Sequence, residues 1–270
     1  MMTPLFRTLA YAVAGYALFT GVIGCSQRRL MYHPDNLTPR LADAGVSDMA
    51  AVSLKTADGL ALLAWHRAPT REDAPTLIYF HGNAGHIGHR GHKVRPYLDA
   101  GYGVLLVSWR GYGGNPGSPT EAGFYDDARA ALNYVEAQGV PGKRIVIYGE
   151  SIGSGPAVQL AKEQTIGALV LEAPFTSATD LAQRSYWFLP ARYILLDRYE
   201  SKSKIGDIDA PLFIVHGERD RVVPVDMGRA LLAAANEPKD ARYFPGAGHN
   251  DLYDYGADKA ILDFLKDVFP

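Results

Sequence analysis

Eight short apolar runs alternate with helix-patterned stretches along most of the chain, and this alternation is the tightest constraint on its fold. The runs are Ala51–Leu54, Leu60–His66, Thr76–Phe80, Val104–Ser108, Arg144–Tyr148, Ala168–Glu172, Leu212–His216 and Ala241–Phe244. The first two read as a strand pair turning at Asp58-Gly59. From Thr76 onward the runs suit strands buried on both faces, as in a parallel sheet covered by helices. The helical stretches between them are His86–Asp99, Glu121–Gln138, Gly155–Glu163, Asp226–Ala235 and Asp251–Val268. This succession predicts the α/β class with a mostly parallel, doubly wound sheet, whose chemistry gathers at the carboxyl ends of the strands. No repeat or polar linker divides the body, so residues 28–270 read as one domain and residues 1–27 as a separate N-terminal segment.

Thr8 to Gln27 carries no charge, and about 20 apolar residues are what a helix needs to cross a bilayer. The segment predicts membrane association, as a signal anchor or as an export leader. Val22-Ile23-Gly24-Cys25 resembles a bacterial lipoprotein processing site, which makes Cys25 a candidate for lipidation. Arg7 on one side and Arg28-Arg29 on the other do not decide orientation. With 27 basic and 29 acidic residues the formal net charge is −2, which leaves no basic surplus for a nucleic-acid partner. The single cysteine excludes an internal disulfide and a cysteine-based metal site. The oligomeric state is not legible from the sequence.

Gly149-Glu150-Ser151-Ile152-Gly153 is a G-x-S-x-G motif placed directly after a strand and before a helix. A serine at such a turn exposes its hydroxyl on a strained corner. It needs a base within hydrogen-bond reach and an acid to orient that base, following it along the chain as acid and then histidine. Two histidines lie downstream. His216 closes an apolar run and reads as packing at a strand end. His249, in the loop Gly246–Asp251, is the better candidate base. For the acid, Glu218, Asp220, Asp226, Glu172 and Asp180 all stand near strand ends, and local physics does not choose among them. His81-Gly82-Asn83-Ala84-Gly85 closes the first core strand and is the candidate oxyanion loop, with the backbone N–H groups of Asn83 and Ile152 as donors. His81, His86, His89 and His92 invite a metal reading. No carboxylate or cysteine joins them within the segment, so no metal is expected there.

Those motifs, with Arg110-Gly111-Tyr112-Gly113, Glu172–Ser177 and His216–Asp220 between them in order, resemble the α/β-hydrolases from about Gln27 to the C-terminus. Together they are similar to the serine-aminopeptidase-like branch, which includes membrane-anchored hydrolases and protein depalmitoylases. The resemblance implies an α/β-hydrolase fold with a short helical cap insert, and maps the acid onto Asp220 and the histidine onto His249. It implies a serine hydrolase of carboxylic esters or thioesters that uses no cofactor or metal and takes a small or lipid-like acyl substrate. An aminopeptidase-type serine peptidase is the alternative, and a non-catalytic binding protein on the same fold a further one. In this fold an insert between Glu172 and Leu212 can lie over the serine. Here it is rich in aromatic residues, and Tyr186, Trp187 and Phe188 become candidates to bind an acyl chain, at about 0.8 kcal/mol per buried CH₂. Ordinary helix packing on the sheet and contact with a bilayer are the other readings of the same residues.

Overall fold

The computed structural model describes residues 3–270; Met1 and Met2, part of the expected N-terminal segment, lie outside the described residues. In chain order the strands are β1 (His33–Pro34), β2 (Ala50–Lys55), β3 (Ala61–Arg67), β4 (Thr76–Phe80), β5 (Ala84–Gly85), β6 (Gly103–Val107), β7 (Ile145–Glu150), β8 (Ala168–Glu172), β9 (Leu212–Gly217) and β10 (Lys239–Phe244). The helices are α1 (Pro4–Met31), α2 (Gly91–Asp99), α3 (Glu121–Ala137), α4 (Ser154–Glu163), α5 (Ala178–Ser185), α6 (Ala191–Ile194), α7 (Val225–Ala234) and α8 (Ala257–Val268).

The main sheet runs β10-β9-β8-β7-β4-β6-β3-β2. Strand β3 is antiparallel to both β2 and β6, and every other pairing is parallel. All residues of β4, β6, β7, β8 and β9 are buried, because helices cover both faces. Alternation sorts their side chains cleanly. Ile78, Phe80, Leu105, Ile147, Leu169 and Ile214 pack on one face with Phe124, Ala131, Leu160 and Leu231 of α3, α4 and α7. Leu77, Tyr79, Leu106, Val146, Val170 and Val215 pack on the other with Val94, Tyr97, Ile261 and Leu265 of α2 and α8. The chain leaves β4 for β6 on one side and returns to β7 on the other. The loops after β4 and β7 therefore diverge and open a crevice at the carboxyl edge.

Three elements depart from the sequence pattern. The stretch from His86 begins as a 3-10 turn, Ile87–Arg90, with the His86 ring accepting from the Gly88 N–H at 3.1 Å, and becomes α-helical only at Gly91. The stretch from Asp251 is broken at Gly256, whose φ of 86° ends one turn and starts α8. Helix α1 continues past the boundary at Gln27 to Met31.

That continuation joins α1 to the body. Gln27 Nε2 donates to Ile194 O at 3.0 Å and its Oε1 accepts from Leu196 N–H at 2.7 Å. Arg28 holds Asp197 through two bonds of 2.9 and 3.1 Å, and the Tyr32 hydroxyl lies 3.1 Å from the same carboxylate and 2.8 Å from the Tyr199 hydroxyl. Beyond α1, β1 pairs in parallel with β5, which is part of the loop after β4.

Candidate active site

Ser151 follows β7 without a spacer, at φ 51°. This left-handed conformation is costly for any residue with a Cβ, and such strain clusters where a side chain must be presented. The flanking glycines are forced by crowding. A Cβ on Gly149 would lie 2.6 Å from Ser154 Cα and 2.7 Å from Ala157 Cβ, and one on Gly153 would strike the Phe80 carbonyl. The Ser154 hydroxyl donates to Ser151 O at 2.6 Å and pins the turn.

His249 sits in the loop after β10, with Nε2 3.0 Å from Ser151 Oγ and Nδ1 2.6 Å from Asp220 Oδ2. Asp220 follows β9, and its other oxygen accepts the N–H groups of Val222 and Val223, each at 2.8 Å. The remaining candidate acids are engaged elsewhere: Glu218 with Arg229, Asp226 with Arg184, Glu172 with Lys93, and Asp180 with Thr176. Burial alone would raise the Asp220 carboxyl; hydrogen bonds from His216 and His249 outweigh it and hold the group well below the usual carboxylate range. His216 is thus more than strand-end packing. Its Nε2 is 2.8 Å from Val223 O and 3.3 Å from Asp220 Oδ2, in a fully buried position.

Across the crevice, Ile152 opens the turn into α4, and Asn83 stands in the loop after β4. Among the described residues neither backbone N–H is donated to a protein acceptor. The Asn83 side chain is engaged at both ends: Nδ2 donates to Met31 O at 2.5 Å, while Oδ1 accepts from His33 N–H at 3.2 Å and the Tyr112 hydroxyl at 2.9 Å. His81 begins this loop, fully buried, with Nδ1 donating to Gly82 O at 2.7 Å. Burial, with a smaller contribution from Arg90, lowers its pKa from 6.5 to about 3. Because the folded pKa is depressed, the neutral ring stabilises the protein fully above pH 6.5, and that stability is lost as pH falls towards 3. We expect this group to take away about 1.4 kcal/mol per pH unit below 6.5. Urea midpoints between pH 7 and 5 check this: His81→Gln should have the shallower slope, and parallel slopes would refute it.

A buried ionic cluster lies behind the serine that the sequence did not reveal. Arg90 holds Glu150 at 2.8 Å, Lys93 holds Glu172 at 2.5 Å and lies 3.5 Å from Glu150. The hydroxyls of Tyr79 and Tyr148 donate to Glu150 at 3.0 Å and to Glu172 at 2.6 Å. Burial opposes ionisation of Glu150, but Lys93 and Arg90 overcome it and keep its pKa below the ordinary value. A carboxylate next to the nucleophile is thereby fixed in place and neutralised.

The histidines of the first loop need a correction. Asp35, from beyond their segment, lies with His86 and His89, their potential ligand atoms within 4.8 Å of one another. A carboxylate therefore does reach two of the four. His86 Nδ1 accepts from the Gly88 N–H at 3.1 Å, and its Nε2 faces Asp35 at 3.6 Å. A cation held by His86 would displace one of these two contacts. The candidate acyl-binding residues lie on the surface. Trp187 is 80% exposed, with Tyr186 and Phe188 also exposed. They touch each other and, through Phe188 O, the Tyr16 hydroxyl of α1 at 2.7 Å. Two open hollows of about 540 and 590 Å³ are lined by other residues, around Lys143–Gly167 and Asp240–Asp267.

The comparisons with known proteins agree with this architecture. Residues 75–200 match the family model described as the alpha/beta hydrolase fold. An uncharacterized protein of Mycobacterium tuberculosis is 38% identical over 250 residues, covering 92% of this chain and 88% of that protein. Alpha/beta hydrolase domain-containing protein 17B of Homo sapiens is 32% identical over 190 residues, 67% of this chain and 62% of that protein. The structure of an esterase from Pyrococcus furiosus superposes with a TM-score of 0.69 at 20% identity, covering 89% of this chain and 99% of that one, a likeness of fold. With a mostly parallel sheet whose strand order reverses at β4, a strained serine after β7 and relatives along most of its length, the chain belongs to the α/β-hydrolase family.

Proposed function

We propose that this chain is a membrane-attached serine hydrolase that cleaves carboxylic esters or thioesters of small or lipid-like acyl groups. The hydrogen-bonded series Ser151–His249–Asp220 carries the reading. The ionised Asp220 accepts a hydrogen bond from the Nδ1–H of His249, which keeps that proton on Nδ1 and leaves Nε2 as the base beside the serine hydroxyl. Ser151 Oγ attacks the carbonyl carbon as its proton passes to His249. The N–H groups of Ile152 and Asn83 stabilise the oxyanion, and His249 returns the proton to the leaving alcohol or thiol. Water then attacks the acyl-enzyme by the same route in reverse, releasing the acid. Fluorophosphonate labelling, followed by rates on matched ester, thioester and amide substrates, tests the proposal. Labelling with ester or thioester turnover supports it, and turnover confined to amides bearing a free amine would move the chain to the peptidases.

Helix α1 is 28 residues long, its best window has a mean hydropathy of 1.5, and none of that window is buried against the body. We read residues 1–27 as the membrane segment and residues 28–270 as the hydrolase domain. The bond from Tyr16, upstream of Cys25, to Phe188 favours a helix that stays attached, because cleavage at Cys25 would remove it. Cys25 itself is exposed on the helix. The expected result for Cys25→Ala is unchanged sedimentation with membranes. Loss of processing and of lipid labelling in that variant would instead make the chain a lipoprotein.

A further inference from the structure

Helix α1 is not the sole apolar surface left uncovered. The eleven residues Tyr186–Leu196 contain one charged side chain, Arg192. Of these eleven only Ala191 is buried, while Trp187, Tyr193 and Leu196 are 80%, 88% and 63% exposed. Left in water, this is a large exposed apolar patch of the sort that marks an interaction surface. It lies against α1: Phe188 meets Tyr16, and Ile194 and Leu196 meet Gln27.

Depth follows from the helix. With Arg28 and Arg29 at the headgroup level, Tyr16 lies twelve residues earlier, about 18 Å further along at about 1.5 Å per residue. Half of a hydrocarbon core about 30 Å thick is of the same size. Whatever packs beside residues 16–27 therefore shares their leaflet. We propose that Tyr186–Leu196 is a membrane-docking element that enters the leaflet beside α1, with lipid as its occupant. The continuity of its exposed aromatic and aliphatic side chains with an apolar helix of membrane length selects lipid, and Tyr193, next to Ile194 at the Gln27 end of the helix, is a side chain favoured where lipid meets water. Arg184, bound to Asp226, and Arg198 flank the element in sequence.

The element also fixes which side of the enzyme meets the membrane. Helix α5 starts just after β8, Asp226 lies six residues past Asp220, and Met31 is held by Asn83 of the loop after β4. These points are at the carboxyl edge of the sheet, so the edge that carries Ser151 faces the leaflet, and an acyl group anchored there reaches the serine without crossing bulk water.

The inference rests on reading α1 as the membrane segment, and two measurements on the full chain separate the two claims. Of the three tryptophans, Trp65 and Trp109 are 1% and 0% exposed, so Trp187 is the natural lipid probe. In phosphatidylcholine vesicles with bromines on the acyl chains, we expect the protein to float with the vesicles and Trp187 fluorescence to be quenched. The quenchable fraction should vanish in Trp187→Phe. Flotation without quenching would overturn the docking element and leave α1 intact; absence of flotation would overturn both. Sedimentation showing a dimer whose contact shields Trp187 from bromine would assign the patch to a second copy and reject lipid. As a second arm, Tyr193→Asp with Leu196→Asp should lower hydrolysis of a vesicle-embedded long-chain ester at least tenfold and leave soluble p-nitrophenyl acetate unchanged. Equal rates on the embedded ester would count against the proposal.

Discussion

Ser151→Ala is expected to abolish fluorophosphonate labelling and to lower kcat by on the order of a million-fold, the loss seen when a serine protease of unrelated fold is stripped of its nucleophile. Folding should survive, because alanine fits wherever this serine does. The side chain makes its interaction with His249, while the turn is held by Ser154 and by the glycines at 149 and 153. Alanine keeps the unfavourable φ of 51°, so the strain is neither relieved nor increased by much. Near-wild-type turnover in a folded Ser151→Ala protein would end the mechanism.

Asp220→Asn is expected to cost about 10⁴-fold in kcat, because an amide facing His249 Nδ1 no longer selects the tautomer that leaves Nε2 free. Part of the loss reaches beyond the histidine, since the same side chain accepts the N–H groups of Val222 and Val223 and lies by His216. The comparison variant should be Asp226→Asn, whose carboxylate meets Arg184 on the surface, with an effect near that of a surface pair, below about 1 kcal/mol. Glu172→Gln is not a neutral control. It strips Lys93 of its closest counter-charge in a buried setting, and such a break costs stability whatever it does to rate. If Asp226→Asn were the crippling change, the acid would be misassigned though the fold stood.

The strands were legible because burial on both faces leaves continuous apolar runs, and the run at 76–80 matches β4 residue for residue. The serine was legible because its motif sits where the periodicity changes from strand to helix. The candidate acid was not legible from local pattern, since five carboxylates occupy similar settings; only the family resemblance pointed to Asp220, whose contact with His249 joins residues 29 apart in the chain. The ionic cluster was invisible for a related reason: Lys93 lies in a helix whose sequence reads as polar, and its burial depends on Glu150 and Glu172 arriving from other strands. The sequence left the role of the insert open because aromatic residues look alike whether they wall a pocket or face outward. Its exposure is decided by its position beside α1, which no local pattern encodes. The carboxylate beside His86 was missed because Asp35 reaches it from the segment after α1.

The hydrogen bond from the Asn83 side chain to the Met31 carbonyl bears on how this protein can be handled at the bench. Met31 is the last residue of α1, and its carbonyl is held in place by the turns before it, where Gln27 and Arg28 are tied to Ile194, Leu196 and Asp197. A soluble fragment cut at residue 28 would keep the acceptor and discard Gln27 and the helical turns behind it. The loop that presents the Asn83 N–H would then rest on a frayed end. Rates measured on such a fragment would understate the enzyme. A deletion that stops short of Gln27, with detergent to shield the remaining apolar face, is the truncation that respects how the site is held.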